Sequence, residues 1–317
     1  MNYTKLYKYI ERLLKLGISI TAFYFIYHQF YNNSSVINLS TMPEYSYKNL
    51  FLILFCLVLM AVNWGIEAFK WKILLQPTTN ISFRKSIIAT FSGVATSLFM
   101  PFRSGEFFGK ILFLTPKYRW EGSAASLFSS LNQLLTTVFI GSLGLIYLFL
   151  NKVYIYILSD KLLIFLASIG ISLFTIYLFF QKSVFKKLEN ISFINKRISK
   201  DLFTSFSHKT YQILILSLIR YLVFTIQYLL LFSLFISEFN WLDTMMLITV
   251  LFYLSSAIPS FGWAEIAVKG SLALILFEFL NNDSGVLLIA VFIWIINIGI
   301  PALIGASALL KNSFNGN

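Results

Sequence analysis

The chain has 317 residues, of which 58% are hydrophobic and 12% charged, with a formal net charge of +12. Soluble domains carry roughly a quarter charged residues, so the composition excludes a soluble enzyme and points to an all-α, polytopic membrane protein. The excess positive charge gathers in short loops between apolar runs, as membrane topology requires, so it argues against a nucleic-acid partner.

Taken in chain order, the first feature is a basic N-terminus (Lys5, Lys8, Arg12, Lys15) followed by an apolar run from Leu13 to Phe30. The apolar run is long, and the stretch after it, beginning His28-Gln-Phe-Tyr, offers no small-residue cleavage site. An uncleaved first transmembrane helix is therefore expected rather than a signal peptide. Further spans are expected near 49–70, 82–100, 123–150, 158–180, 210–237, 242–258 and 285–310, for about eight crossings in one membrane domain covering 1–317. Trp71, Trp120 and Trp241 fall near the expected interfaces, as an aromatic belt predicts. Cys56 is the only cysteine, so neither a disulfide framework nor a thiolate metal site is expected. His28 and His208 lie far apart near span edges and read as surface residues, and no cofactor is expected.

Two shorter apolar pieces, 101–115 and 259–280, are too broken to be ordinary spans. Each opens on a related motif: Pro101-Phe-Arg103-Ser-Gly105-Glu106-Phe-Phe-Gly-Lys110, and Pro259-Ser-Phe-Gly262-Trp263-Ala-Glu265-Ile-Ala-Val-Lys269. Helix breakers and charge at membrane depth are costly, and bent backbone there must be buried in protein or line a wet cavity. Re-entrant helices satisfy that demand. Paired Gly/Pro-interrupted segments in two halves of a chain are also the sequence sign of a transporter-type site.

Charge orients the map. With the N- and C-termini in the cytoplasm, the loops near 70–85, 116–121 and 181–209 fall inside and hold most of the loop lysines and arginines. The 181–209 segment is the longest polar stretch and is expected to be a basic cytoplasmic loop. The outer loops hold only Lys48, Lys152 and Lys161. On this map the helix before Pro101 runs outward and the helix before Pro259 runs inward. The units 82–150 and 242–310 therefore form an inverted repeat, which would set the two motifs face to face near the midplane.

Within each motif a glutamate precedes a lysine by four residues, the favourable order for an ion pair on a helix. Two readings stay open for Glu106–Lys110 and Glu265–Lys269: self-neutralising stitches in re-entrant helices, or carboxylates that face a cleft and hold a cationic group. On the second reading, Arg103 would grip phosphate in a bidentate fork. Gly105 and Gly262 would let backbone N–H groups approach an anion. Glu67 is expected to pair with Lys70, Lys72 or a motif lysine, and Arg220 needs a carboxylate partner. Glu278 reads as interfacial. The small, polar run from Ser123 to Gln133 is expected to form a tight helix–helix face. No phosphate-binding loop, zinc spacing or nucleophile elbow is present, so no enzyme activity is expected.

Three places carry a resemblance to a known family. They are Glu67-Ala-Phe-Lys70-Trp71-Lys-Ile-Leu-Leu75, Ser92-Gly93 through Pro101-Phe-Arg103-Ser-Gly105-Glu106, and Ser255-Ser256-Ala-Ile-Pro259-Ser-Phe-Gly262-Trp263-Ala-Glu265. In order and spacing they resemble the lysylphosphatidylglycerol synthase transmembrane region, also called the flippase-like domain family. Trp263 stands where the family often has a second glycine, and Lys110 stands near a common basic position. The chain lacks the aminoacyltransferase domain of the bifunctional members. The resemblance therefore implies the flippase-like half alone, in the cell (inner or plasma) membrane, moving a phospholipid or lipid-linked headgroup between leaflets. The binding residues would be Arg103, Gly105, Glu106, Lys110, Gly262, Glu265, Lys269 and Glu67. A non-transporting accessory protein that partners an envelope-synthesis enzyme is the alternative expectation, and a small-solute transporter is the second.

Overall fold

The computed structural model describes residues 46–100, 104–152, 159–258 and 264–314. The expected first helix at 11–30 lies outside them, as do Arg103 and Gly262. The described residues form helices and no strand: α1 (Tyr47–Leu75), α2 (Phe83–Ser97), α3 (Gly105–Ile111), α4 (Arg119–Leu150), α5 (Asp160–Glu189) and α6 (Ser192–Asn195). These are followed by α7 (Lys200–Phe235), α8 (Trp241–Ala257), α9 (Glu265–Leu276), α10 (Asp283–Trp294) and α11 (Ile300–Phe314). Among the described residues, five stretches are long and apolar enough to cross a bilayer: Tyr47–Leu75, Pro116–Leu150, Asp160–Glu189, Lys200–Phe235 and Asp283–Lys311. Trp241–Ala257 is a shorter apolar helix.

Helix ends follow local chemistry. Ser46, Ser82, Asn240 and Asn282 each accept a backbone N–H in the first turn of the helix they precede. The basic stretch expected as a loop at 181–209 is mostly helical, because α5 continues to Glu189 and α7 begins at Lys200. Lysine and glutamate are good helix formers, so the helices run on past the apolar boundary.

Two segments share one order of elements. In Phe83–Leu150 a short first helix, α2, is followed by a break, the brief α3 and the long α4. In Trp241–Phe314 the same order is α8, a break, α9, and then α10 and α11. The first helix of each segment packs against the last helix of the other, α2 on α11 and α8 on α4. Glycines allow both contacts. A Cβ on Gly305 of α11 would run into the Phe91 carbonyl of α2, and a Cβ on Gly141 of α4 would meet Tyr253 and the Thr249 carbonyl of α8. Gly141 and Gly305 each lie 22 residues beyond the first residue of their long segment, Arg119 and Asp283.

Between α10 and α11 the helix widens into a π turn, Ile295–Gly299. The cause is Pro301. It has no N–H to give the carbonyl four residues earlier, that of Asn297, and an interior proline crowds that same carbonyl. The Asn297 carbonyl accepts the Trp64 indole N–H instead, at 3.1 Å.

A large apolar core joins α1, α4, α7, α8, α10 and α11. A second cluster, at the end of the molecule where α1 finishes, gathers Trp71, Leu74, Phe128, Phe185 and Phe206. Trp71 is fully buried there and donates to the Gly122 carbonyl at 3.0 Å, so it is not part of an aromatic belt. Trp120 and Trp241 are exposed, and Arg197 stacks over the Trp120 ring at 4.6 Å.

Candidate functional site

The described part of the first motif, α3, packs closely against α2. Helix α3 lies back on α2 at backbone distance. A Cβ on Gly105 would strike the Thr96 carbonyl, one on Gly109 the backbone of Ser92 and Gly93, and one on Gly93 the Glu106 carbonyl. The Thr96 hydroxyl donates to the Gly105 carbonyl across this contact. Gly105 therefore serves close helix packing.

This packing carries Lys110 into the interior, where its side chain is fully buried. Its Nζ lies 2.7 Å from Glu106 Oε1 and 3.0 Å from Glu67 Oε1. Glu67, on α1, is the hub. Oε1 also accepts the Ser129 hydroxyl at 3.1 Å, and Oε2 pairs with Lys70 at 3.1 Å and with Arg220 at 3.3 Å. One carboxylate thus collects three cations and a hydroxyl from α1, α3, α4 and α7. A carboxylate removed from water survives as an ion only with such compensation.

Arg220 passes this cluster on to a cavity. Its Nε donates to Asn63 Oδ1 at 2.7 Å, and its guanidinium sits 5.1 Å from the Trp64 ring centroid. A chain of amides continues from there. Asn63 Nδ2 donates to Asn297 Oδ1 at 3.4 Å, Asn297 Nδ2 to Gln227 Oε1 at 2.9 Å, and Gln227 Nε2 to the Cys56 carbonyl at 2.8 Å. This network holds α1, α7 and the π turn in one register.

The cavity has a volume of about 420 Å³ and lies between α1, α4, α7, α8, α9 and α10. Its polar wall includes Arg220, Gln133, Asn63, Asn297, Glu265 and Lys269, and its apolar wall includes Trp64, Phe224 and Trp294. The second motif supplies Glu265 and Lys269, whose Oε1 and Nζ are 2.5 Å apart, with Lys269 5.2 Å from the Phe224 ring centroid. Leu134 and Ile258 belong to the lining yet are 44% and 41% exposed, so among the described residues the cavity reaches the apolar outer surface. The size falls within the roughly 300–1,000 Å³ of small-ligand sites.

The structure thus divides the residues singled out in the sequence. Glu67, Glu106 and Lys110 come together in the buried cluster, while Glu265 and Lys269 stand on the cavity wall, whose lining does not include Glu106 or Lys110. Glu278 and His208 are exposed. Within the Ser123–Gln133 run, Ser126, Ser129 and Asn132 are buried, and Asn132 accepts the Tyr177 hydroxyl at 3.0 Å. Gln133 instead reaches the cavity and accepts from Lys70 at 3.4 Å. Arg220 and Asn297 were not singled out as ligand residues. For Asn297 a signal existed, an asparagine four residues before a proline inside an apolar run. For Arg220 the only signal was a charge within a span.

The profile of the lysylphosphatidylglycerol synthase TM region family matches residues 12–305. The chain belongs to that family and is a multi-pass membrane protein. A search of curated proteins finds no match.

Proposed function

For this member of the lysylphosphatidylglycerol synthase TM region family, we propose that the cavity carries the polar headgroup of a lipid between leaflets while the tails stay in the bilayer. The observation that carries this reading is the pairing of a charged, amide-lined interior with a rim of exposed apolar side chains at Leu134 and Ile258. A small-solute site would need a polar mouth. Here the rim suits an acyl or prenyl chain, and only the headgroup needs a polar path.

The reciprocal packing of α2 on α11 and α8 on α4 supports treating Phe83–Leu150 and Trp241–Phe314 as two facing repeats of opposite orientation. The exposed basic residues at the end of α5 and just before α7, among them Lys182, Lys186, Lys187 and Lys196, fit the cytoplasmic face of the cell membrane beside anionic lipid. The same face would receive an envelope-synthesis enzyme if the protein acted as its accessory.

The test is leaflet exchange of labelled phospholipids in proteoliposomes, comparing wild type with Glu265→Gln and Lys269→Gln. Exchange above that of empty liposomes, lowered by both variants while the folded protein remains in the membrane, is the expected result. Wild-type protein that is folded and promotes no exchange of any phospholipid would overturn translocation in favour of a binding-only, accessory role.

A further inference from the structure

The long segments of the two repeats part company at one matched position. Gln133 lies 14 residues beyond Arg119, and Asn297 lies 14 residues beyond Asp283. Both are amides on the cavity wall. Four residues further on, the first segment has Thr137 and the second has Pro301. Thr137 keeps its backbone N–H and also donates its hydroxyl to the Gln133 carbonyl at 3.0 Å, and α4 is one unbroken helix. Pro301 has no N–H for the Asn297 carbonyl, and here the helix opens into the π turn.

The two sides of that turn are held unequally. Beyond it, α11 is seated on α2 backbone to backbone at Gly305, and the Ser92 hydroxyl donates to the Gly305 carbonyl at 3.3 Å. Before it, α10 carries α9, which brings Glu265 and Lys269 to the cavity wall. These two helices meet at Gly270, where a Cβ would stand 3.4 Å from Leu287 and 3.9 Å from Ala290. Against α7, α10 makes side-chain contacts, with the Phe292 and Phe235 ring centroids 5.0 Å apart. Side-chain contacts of this kind slide as a helix tilts, whereas backbone seated on backbone does not. Within the turn, a Cβ on Gly299 would come no nearer than 3.5 Å to the Trp294 ring, so close packing does not require glycine there. What glycine does supply is backbone freedom.

The turn is tied down by side chains from other helices. Asn297 Oδ1 accepts from Asn63 at 3.4 Å, Nδ2 donates to Gln227 at 2.9 Å, and the carbonyl accepts the Trp64 indole N–H at 3.1 Å. Asn63 and Trp64 stand on α1, and Gln227 stands on α7. We propose that the π turn is a hinge about which α9 and α10 swing as one wall of the cavity while α11 stays fixed on α2. Asn297 is the latch that holds this wall to α1 and α7. The hinge does not rest on the translocation reading, since a binding-only protein would use the same wall. Kinks at prolines and π turns exceed about 20°. Helix α10 has 12 residues and is about 18 Å long, so a kink of that size moves its far end by about 6 Å.

The experiment measures spin-label distances by electron paramagnetic resonance in a Cys56→Ser background. One pair, Leu131→Cys with Ser271→Cys, reports on α4 and α9. The control pair, Lys85→Cys with Ser307→Cys, reports on α2 and α11. All four positions are exposed. The α4–α9 pair should show two populations about 6 Å apart. Asn297→Ala removes two of the three ties and should raise the minor population at least about fivefold, the equivalent of one hydrogen bond. Gly299→Ala stiffens the turn and should lower it. The α2–α11 pair should keep one distance throughout. A single, unchanged α4–α9 distance in all three proteins would overturn the hinge, as would an equal change in the control pair. A second population indifferent to both substitutions would overturn the latch. Thermal unfolding in detergent checks that Asn297→Ala is folded. If it is not, Gly299→Ala, which has room for its methyl group, decides alone: a reduced second population upholds the hinge, and an unchanged one overturns it.

Discussion

The two motif segments have the same order of elements and the same Glu-to-Lys spacing, yet they are held in opposite ways. In the first, α3 is pressed onto α2 through Gly93, Gly105 and Gly109, and its lysine is locked to two carboxylates without access to water. In the second, α9 meets its neighbours at ordinary distances. A Cβ on Gly270 would come no nearer than 3.4 Å to Leu287, and Glu265 and Lys269 border an open cavity. The contrast teaches that a repeated motif need not repeat its role. One copy is sealed into the frame beside Glu67, and the other borders the cavity proposed to receive the headgroup.

The sharpest way to break this comparison is to remove the hub. Glu67→Ala leaves Lys70, Lys110 and Arg220 with one carboxylate between them, and breaking a buried pair in this way costs about 3–5 kcal/mol. Thermal unfolding in detergent should show that loss. Glu265→Gln should cost less, about 1 kcal/mol, since Glu265 and Lys269 are partly exposed at the cavity wall, whereas Glu67 is sealed. Equal losses at the two sites would erase the distinction.

Matched glycines give the next test. Gly109→Ala must push apart two backbones and should destabilise by about 1–3 kcal/mol. Gly270→Ala has room and should stabilise by up to about 1 kcal/mol through helix propensity. The two unfolding temperatures should therefore move in opposite directions.

A smaller effect is expected at the π turn. Trp64→Phe keeps a ring under Arg220 but strands the Asn297 carbonyl that Pro301 cannot serve, a loss of about 1 kcal/mol. Pro301→Ala should restore a backbone donor for that carbonyl, so the double variant should recover part of the loss. Simple additivity would place the cause elsewhere.

Much of this was legible in the sequence, for definite reasons. Long apolar runs announce α1, α4, α5, α7 and the α10–α11 stretch, because a span has a fixed length. The pairs Glu106–Lys110 and Glu265–Lys269 follow from helix geometry alone. The cationic surroundings of Glu67 were partly foreseeable from Lys70, three residues away. What the sequence concealed depends on which helix faces which. Nothing local brings Arg220 to Glu67 across 153 residues, or Asn297 to Asn63 across 234. The assignment of Lys110 to the sealed cluster and Lys269 to the cavity is likewise a matter of tertiary packing, since the two lysines stand in nearly the same local sequence.

The central claim is that the headgroup passes through the cavity bordered by α8 and α9. The direct measurement is leaflet exchange after thiol labelling of a Ser256→Cys variant in a Cys56→Ser background, with a bulky maleimide. Ser256 is exposed and lines the cavity, whereas the native Cys56 is buried. The exposed Ser168 on α5, outside the cavity lining, supplies the control variant, Ser168→Cys. The account predicts that labelling at position 256 stops exchange and labelling at position 168 does not. Undiminished exchange through protein fully labelled at position 256 would contradict it.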